Sequence, residues 1–309
     1  MPRGAVPAAG DVSRSPRPPS HVWVNGRLGE AGDPQVSAFD RGFLLGDGVF
    51  ETLRAMGGRI LELDEHLDRL RASAAGLDIS IPGARLAELG DAMRALLAAE
   101  VLDGPGSSAS VRITVSRGTM VARGLLPLEK VAPTVVVQAW PVPPPPPGHL
   151  EDGISLIAST VRRDPGNPLA GLKTTSRADF VYARIEARRA GADDALLLTT
   201  AGHLAEATTA NIFVLHAAEL ATPSLDCGIL AGTTRDWILR WAGRVGLRAR
   251  EALLLPGELA TADEAFVCSS VAGVLPVTRF AGRPIGTGRP GPWTLRARAD
   301  REGYARGEG

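Results

Sequence analysis

The feature that most limits how this chain can fold is the proline run Pro141-Val-Pro-Pro-Pro-Pro-Pro-Gly148. Proline fixes φ and has no backbone N–H, so such a run is a stiff, extended connector that a sheet cannot accommodate. The chain has 309 residues, enough for two domains that each bury a core. We therefore predict four segments: a disordered tail at 1–20, a small N-terminal α/β domain at 21–140, a linker at 141–148 and a larger C-terminal domain at 149–309. A rigid loop inside a single domain is the alternative.

Local patterns predict a mixture of strands and helices. Alternating apolar residues indicate strands, and apolar residues at steps of three and four indicate helices. The predicted strands lie near 21–27, 49–54, 110–116, 133–140, 154–161, 194–199, 211–215 and 265–268. The predicted helices lie near 64–77, 85–100, 176–190, 234–245 and 256–260. We expect Asp64 to cap the first of these helices. After Pro290 we expect a short helix and a frayed tail.

Composition excludes several classes of function. Lys+Arg and Asp+Glu are both 34, so the formal net charge is zero, which argues against a nucleic-acid or membrane-surface partner. No apolar run reaches the length of a membrane span, and the segment 1–20 lacks the apolar core of a signal peptide. Cys227 and Cys268 form no CxxC pair, so neither a disulfide framework nor a metal site is expected. A reducing, cytoplasmic setting is the default expectation.

Lys173 is conspicuous because the chain is nearly devoid of lysine. Lys173 and Lys130 are its only lysines, and Lys173 ends the apolar run Pro168-Leu-Ala-Gly-Leu-Lys173. Arginine carries charge as well as lysine does, but it does not deprotonate to become an amine nucleophile. A chemical role for Lys173 therefore competes with the simpler explanation that codon usage removed lysine almost everywhere and left this one by chance.

Three features downstream of Lys173 add to the chemical explanation. Glu206 comes just before an apolar strand. Gly232-Thr-Thr-Arg235 begins a helix, whose free N–H groups and two hydroxyls form a candidate phosphate site. Cys268-Ser-Ser-Val-Ala-Gly273 ends a strand in small residues whose backbone can hold an anion. Taken singly, each has an ordinary explanation as a strand-end charge, a helix cap or a turn.

Taken together, these features meet the requirements of pyridoxal phosphate. A lysine amine forms the Schiff base, an acid pairs with the pyridine nitrogen, and helix N-termini and hydroxyls hold the phosphate. The chain has no GxxxxGK[ST] loop and no GxGxxG after a strand, which removes the usual nucleotide-binding alternatives.

Six blocks then occur in a fixed order, at residues 40–51, 65–70, 170–173, 206–213, 230–236 and 269–277. In this order they resemble the class IV aminotransferases, which are pyridoxal-phosphate enzymes of fold type IV. That family includes branched-chain aminotransferases, D-amino-acid transaminases, (R)-amine transaminases and aminodeoxychorismate lyases. The similarity extends from Val22 to about Arg298.

The resemblance implies a role for each matching residue. Lys173 would form the Schiff base and carry the proton between the substrate Cα and C4′ of the cofactor. Glu206 would pair with the protonated ring nitrogen. The other implied cofactor-binding residues are Arg69, Thr233, Thr234, Ser270 and Asn211. The implied substrate-binding residues are Phe50, Glu51, Thr52, Arg123, Val271 and Ala272. Outside this context, Arg69 is equally an i,i+4 partner of Glu65 on a helix.

The resemblance also implies an architecture. Two α/β domains would hold the cofactor in the cleft between the small N-terminal domain and the larger C-terminal one. The enzyme would be a homodimer whose pocket is completed by a loop of the other subunit.

The member of the family is less clearly indicated. Glu51 favours a transaminase, whereas Arg123-Gly124 and the run 167–173 are closer to the lyases. Phe50 stands where the best-studied D-amino-acid transaminases have an aromatic hydroxyl. The loop Ser116-Arg-Gly-Thr-Met-Val-Ala-Arg-Gly124 contains Arg123 without the histidine of their Arg-x-His pair. Arg123 is therefore either a carboxylate ligand or an exposed loop arginine. Thr52, in place of a glycine, argues against a typical branched-chain enzyme.

We hypothesise a transaminase that moves an amino group from a D-amino acid or a small (R)-amine to 2-oxoglutarate or pyruvate. The first alternative is a 4-amino-4-deoxychorismate lyase that forms 4-aminobenzoate and pyruvate. A branched-chain L-amino-acid aminotransferase and a non-catalytic pyridoxal-phosphate-binding protein are the others. Transaminase and lyase share the first proton abstraction by Lys173, so the sequence does not separate them.

Overall fold

The structure, a computed structural model, describes residues 17–33, 36–127 and 131–308. Most of the predicted tail at 1–20 lies outside these residues, as does Lys130. Within the part of the tail that is described, the Ser20 N–H donates to a Glu100 carboxylate oxygen at 2.8 Å.

The N-terminal half contains one six-stranded antiparallel sheet in the order β2-β1-β6-β5-β3-β4. Its strands are β1 (His21–Val24), β2 (Arg27–Glu30), β3 (Gly48–Met56), β4 (Arg59–Ile60), β5 (Ser108–Ser116) and β6 (Thr134–Pro141). Its helices are α1 (Arg41–Leu45), α2 (Leu63–Gly76) and α3 (Gly83–Ala99). Alternation along β5 buries Ala109, Val111, Ile113 and Val115 against apolar residues of α2 and α3.

The C-terminal half contains a nine-stranded mixed sheet, in the order β12-β11-β10-β13-β14-β7-β8-β9, with β15 paired to β14. Its strands are β7 (Ile154–Arg163), β8 (Asp194–Thr199), β9 (Leu204–Ala207), β10 (Asn211–His216), β11 (Glu219–Pro223), β12 (Arg248–Ala252), β13 (Glu264–Ser269), β14 (Gly273–Phe280) and β15 (Arg283–Pro284). Its helices are α4 (Ala178–Arg189), α5 (Thr233–Arg244), α6 (Pro256–Ala260) and α7 (Pro292–Arg306).

One further pairing closes six of these strands into a ring. Strand β9 pairs with β10 as well as with β8, through Asn211 and Glu206. The main apolar cluster of this half takes residues from all six strands of the ring, among them Leu156, Leu198 and Val267. The closure brings Glu206 and Asn211, 5 positions apart in sequence, to directly opposite positions on neighbouring strands.

The predicted mixed α/β fold class is therefore confirmed. The chain changes from the first sheet to the second between β6 and β7, and Pro141 is the last residue of β6. This change of sheet supports a domain boundary at 141–148, which stays a prediction.

Two expectations about helix ends are wrong. Asp64 does not cap α2, because the residue before the helix is Glu62, which has φ of 51° and makes no side-chain cap bond. The Glu62 carboxylate instead accepts hydrogen bonds from Arg301, a buried residue of α7.

The C-terminal segment is also no frayed tail, since α7 spans 15 residues. Its Arg301 guanidinium lies 5.3 Å from the ring centroid of Trp237 on α5, a contact that holds α7 against α5.

Among the described residues, no helix combines the length and the apolar character that crossing a membrane requires. Cys227 and Cys268 are buried free thiols, and burial raises the pKa of Cys268 to about 12. The cytoplasmic setting stays a prediction.

Candidate active site

A cavity of about 620 Å³ lies between the two sheets. Strands β3 and β5 form one wall, and the other wall comes from α4, β9, the start of α5 and the turn between β13 and β14. The site residues predicted from the sequence that line this cavity are Lys173, Glu206, Arg69, Thr233, Thr234, Ser270, Asn211, Phe50, Thr52, Val271 and Ala272. Glu51 and Arg123 do not line it.

The backbone of Lys173 is fixed from two sides. The Phe50 N–H of β3 donates to the Lys173 carbonyl at 2.9 Å, and the Lys173 N–H donates to Ser73 Oγ of α2 at 3.2 Å. The side chain then enters the cavity, with Nζ 4.8 Å from the Phe50 ring centroid. Because both anchors are backbone bonds of the lysine, the position of the turn does not depend on the lysine side chain.

The surroundings of Lys173 favour its neutral amine. Burial lowers the pKa of Lys173 to about 8, and the positive charges of Arg69 and Arg177 act in the same direction against Glu51 and Glu206. A substantial fraction of this lysine is therefore a free amine at mildly alkaline pH. A free amine is the form that adds to a carbonyl.

Glu206 is the acid of the cavity, and it is only 6% exposed. Its Oε2 accepts from the Leu230 N–H at 3.2 Å, and its Oε1 lies 3.4 Å from Arg163. Burial raises the pKa of Glu206, and Arg163 opposes that rise. The Arg163 Nε is itself buried without a hydrogen-bond partner among the described residues.

Helix α5 begins at the cavity and provides an anion-binding terminus. Its N-cap is Gly232, which has no side chain to occupy the first N–H groups of the helix. Asn211 fixes this turn, because its Nδ2 donates to the Leu230 carbonyl at 3.0 Å. A Cβ at Gly232 would lie 2.1 Å from Asn211 Oδ1, so the close approach requires glycine. Thr233 Oγ1 lies 3.2 Å from Ser270 Oγ across the mouth of this terminus.

Arg69 of α2 reaches the same terminus, and Thr234 lies within it as the second residue of α5. The Arg69 guanidinium donates to the Ala231 carbonyl at 2.7 Å. Thr234 Oγ1 accepts from Arg301 of α7 at 3.4 Å. On the cavity side the terminus therefore lies beside the Arg69 guanidinium and three hydroxyls, an arrangement that suits a phosphate dianion.

Glu51 was predicted to bind substrate, and the structure does not place it in the cavity. Successive residues of β3 point to opposite faces, so Phe50 and Thr52 face the cavity while Glu51 faces α2. There it is wholly buried and accepts from Arg69 at 2.7 and 2.8 Å and from His66 at 2.7 Å. Burial raises the pKa of Glu51, but these hydrogen bonds outweigh burial and lower the pKa to about 2. Glu51 is thus an ionised anchor for two side chains of α2.

Arg123 lies outside the cavity of its own chain and is exposed. The loop that carries Arg123 is held by Arg41, which donates to the Gly124 carbonyl at 3.0 Å and to the Leu125 carbonyl at 2.7 Å.

The turn between β13 and β14 carries Val271 and Ala272. The Ala272 N–H donates to Ser269 Oγ at 3.3 Å, so this N–H is already engaged within the turn.

Sequence reasoning missed most of the positive charge of the cavity. Its lining includes Arg69, Arg112, Arg163, Arg177 and Arg184. Arg112 lies 3.9 Å from the Phe50 ring centroid, and Arg177 lies 3.3 Å from that of Phe180 and donates to the Thr208 carbonyl at 2.9 Å. One signal was present: Arg112 occupies a polar position in the alternation of β5, directly opposite Thr52.

Comparison with known proteins agrees with this geometry. The family model for amino-transferase class IV matches residues 48–280. A putative branched-chain-amino-acid aminotransferase of Methanocaldococcus jannaschii is 36% identical, over 88% of this chain and 92% of its own length. A D-alanine aminotransferase of Bacillus licheniformis is 32% identical, over 88% and 93%.

A solved structure shows the same likeness. The branched-chain amino acid aminotransferase of Escherichia coli superposes with a TM-score of 0.87. It shares 28% identity and covers 94% of this chain and 95% of its own. The chain belongs to the class IV aminotransferases. It is a pyridoxal-phosphate-dependent aminotransferase, and the predicted family, fold type and cofactor are confirmed.

Proposed function

We propose that Lys173 is the residue that binds the cofactor covalently and then moves the substrate Cα proton. Pyridoxal phosphate, when bound, supplies an electron sink for the electrons released at Cα. The observation that carries this assignment is an amine whose pKa burial lowers to about 8, in the same cavity as the buried carboxylate of Glu206. In this arrangement the Glu206 carboxylate holds the proton at the ring nitrogen. The Arg163 guanidinium, 3.4 Å from Glu206 Oε1, balances the negative charge of Glu206.

The proposed phosphate site is the start of α5. The groups assigned to it are the first N–H groups of the helix together with Arg69, Thr233, Thr234 and Ser270. Asn211 shapes the turn from Leu230 to Gly232 and so positions those N–H groups. The combination supplies positive charge, helix-terminus donors and hydroxyl donors to one dianion.

The arginines of the cavity support an acidic amino-group acceptor. Arg112 and Arg177 lie 3.9 and 5.9 Å from the same Phe50 ring, beside Lys173. A 2-oxo acid with two carboxylates satisfies two such guanidinium groups, whereas pyruvate offers one carboxylate. We therefore propose 2-oxoglutarate as the acceptor.

For the amino donor, a branched-chain L-amino acid is our first candidate. The cavity lining includes five apolar side chains that an aliphatic substrate side chain can contact, those of Phe50, Leu172, Phe180, Val181 and Val271. The relative from M. jannaschii carries a branched-chain name, and the superposed structure from E. coli is of a branched-chain enzyme. The D-amino-acid hypothesis counted Glu51 among the substrate-binding residues with Phe50 and Thr52, and Glu51 does not line the cavity. A D-amino acid stays the second candidate because the D-alanine aminotransferase of B. licheniformis aligns over nearly its whole length.

The absorption spectrum of the purified, cofactor-loaded enzyme distinguishes these donors. We expect L-leucine and L-glutamate to convert the yellow form to the pyridoxamine form, with D-alanine and D-glutamate at least about 100-fold slower, a difference of about 2.7 kcal/mol in barrier. Conversion by the D-series alone would establish the second candidate. A yellow enzyme that responds to neither series would favour the lyase.

We also propose that a second copy of this chain covers an apolar patch beside α1. The patch consists of Phe39, Phe43, Leu44, Leu45, Val121, Leu125 and Leu126, which are all exposed. Phe43 is 76% exposed and Leu126 85%, and Arg41 of α1 donates to the Gly124 and Leu125 carbonyls, which holds the two segments together. In this dimer the neighbouring Arg123 lies at the interface.

Light scattering should give twice the 32.3 kDa of the chain, and Phe43→Glu should lower the mass to that of one chain. A wild-type monomer would contradict the proposal.

A further inference from the structure

His66 lies between a buried carboxylate and the two hydroxyls of the proposed phosphate site. It is fully buried, on α2. Its Nδ1 is 2.7 Å from Glu51 Oε2, and its Nε2 is 3.3 Å from both Thr233 Oγ1 and Ser270 Oγ. This imidazole therefore connects the carboxylate behind the site to the hydroxyls that line it.

The protonation state of the His66 ring decides which atom donates and which accepts in its contacts with the two hydroxyls. Glu51 is ionised and only accepts, so Nδ1 of His66 carries a proton in either state. In the neutral ring Nε2 accepts, and it draws a proton from one of the two hydroxyls. In the cationic ring Nε2 donates to the hydroxyl oxygens, so neither Thr233 nor Ser270 gives its proton to the ring, and both hydroxyls can donate to an anion in place of their mutual contact at 3.2 Å.

The balance of charge favours the cation when a dianion is bound. Glu51 holds Arg69 by two hydrogen bonds, at 2.7 and 2.8 Å, and so balances that charge. The charged groups that face His66 are Glu51 from β3 and Arg69 from α2, whose guanidinium is 3.4 Å from Nδ1. The start of α5 and the turn after β13 present the uncharged Thr233 and Ser270. A phosphate dianion on these hydroxyls adds two negative charges beside the ring.

We infer that His66 takes up a proton when the cofactor phosphate binds, and so turns both hydroxyls toward the phosphate. His66 is then a positioning residue that acts through Thr233 and Ser270, and Glu51 is the group that holds its ring. The hydroxyls line the cavity, so they give Nε2 a route to solvent protons. The inference rests on the proposed placement of the phosphate at the start of α5.

Calorimetry of ligand binding in buffers of different ionisation enthalpy measures this proton uptake. The probes are pyridoxamine phosphate, which forms no imine with Lys173, and pyridoxamine, which lacks the phosphate. At pH 8 a phosphate monoester is already a dianion, because its second pKa is about 6, so the phosphate of the probe takes up no proton itself. We expect wild-type apoenzyme to take up about one more proton with the phosphorylated probe than with the other.

His66→Gln keeps a donor near the position of Nε2 but does not titrate, so the extra proton should disappear. His216→Gln is the matched control, since His216 lies on β10 with Nε2 2.9 Å from the Glu258 carbonyl, and it should behave as wild type. Equal uptake of protons with both probes in the wild type would overturn the inference, whatever the variant does. Persistence of the extra proton in a folded His66→Gln would also overturn it. If the phosphorylated probe binds no more tightly than pyridoxamine, the phosphate placement itself is wrong and the inference falls with it.

Discussion

Replacing Lys173 with alanine should abolish turnover and the covalent cofactor adduct while leaving the fold intact. The bonds that hold this turn are the Phe50 N–H to the Lys173 carbonyl and the Lys173 N–H to Ser73 Oγ, and alanine keeps both. What is lost is the amine whose pKa burial lowers to about 8. We expect a fall in turnover on the order of 10⁵–10⁶-fold, the scale at which removal of a catalytic nucleophile acts.

The measurement pairs steady-state turnover with the mass of the intact chain after borohydride reduction. Wild type should gain the mass of the reduced cofactor, and Lys173→Ala should not. Lys173→Arg is the informative second variant, because it keeps the charge but supplies no free amine. Lys130→Arg, at the only other lysine, serves as the control and should retain both adduct and turnover. Near-normal rates in Lys173→Ala would overturn the role of this residue.

The fold and much of the site could be predicted from the sequence because their signals are local. The alternation in Ser108–Ser116 and the apolar spacing in α2 arise within single elements. The six blocks are also local, and the resemblance that they carry implied which residues would meet at one cavity. Glu206 and Asn211 are close along the chain, but strand β9, which carries Glu206, was not predicted, so only the structure shows that they lie opposite each other.

What the sequence did not show depends on pairings between distant elements. Glu62 directly precedes α2, but the partner of its carboxylate is Arg301, 239 positions away. Glu51 stood in a strand that does line the cavity, yet the face it occupies is decided by where α2 packs. His66 likewise acquires its neighbours only when Thr233 and Ser270 arrive from the other half of the chain.

The arginines of the cavity were hidden for a different reason. In a chain whose basic residues are nearly all arginine, neither Arg112 nor Arg177 stands out by type. Burial lowers the pKa of both, which shows that their charges have been taken out of bulk water. Glu206 is the only acidic side chain among the described residues that line the cavity, which supports the acidic acceptor proposed above.

Changing Glu206 to glutamine should leave the cofactor bound but slow the half-reaction with amino acid by about 10²–10³-fold, the scale of losing one electrostatic contact to the developing charge. Glutamine fills the same space, and its amide oxygen still accepts the Leu230 N–H now bonded to Glu206 at 3.2 Å. It carries no negative charge, so the proton at the ring nitrogen loses its partner and Arg163 loses its own. The groups proposed to hold the phosphate are unaffected, which is why cofactor affinity should change little.

Rapid-mixing absorption gives the rate of the half-reaction separately from cofactor affinity, which a reconstitution titration measures. The matched control is Glu219→Gln, at an acid on β11 that also pairs with an arginine, Arg250, but away from the cavity. It should match wild type in both measurements. A loss of cofactor affinity without a change in rate would make Glu206 a structural group of the cavity wall. An unchanged half-reaction in Glu206→Gln would contradict the proposal that Glu206 is the partner of the ring-nitrogen proton.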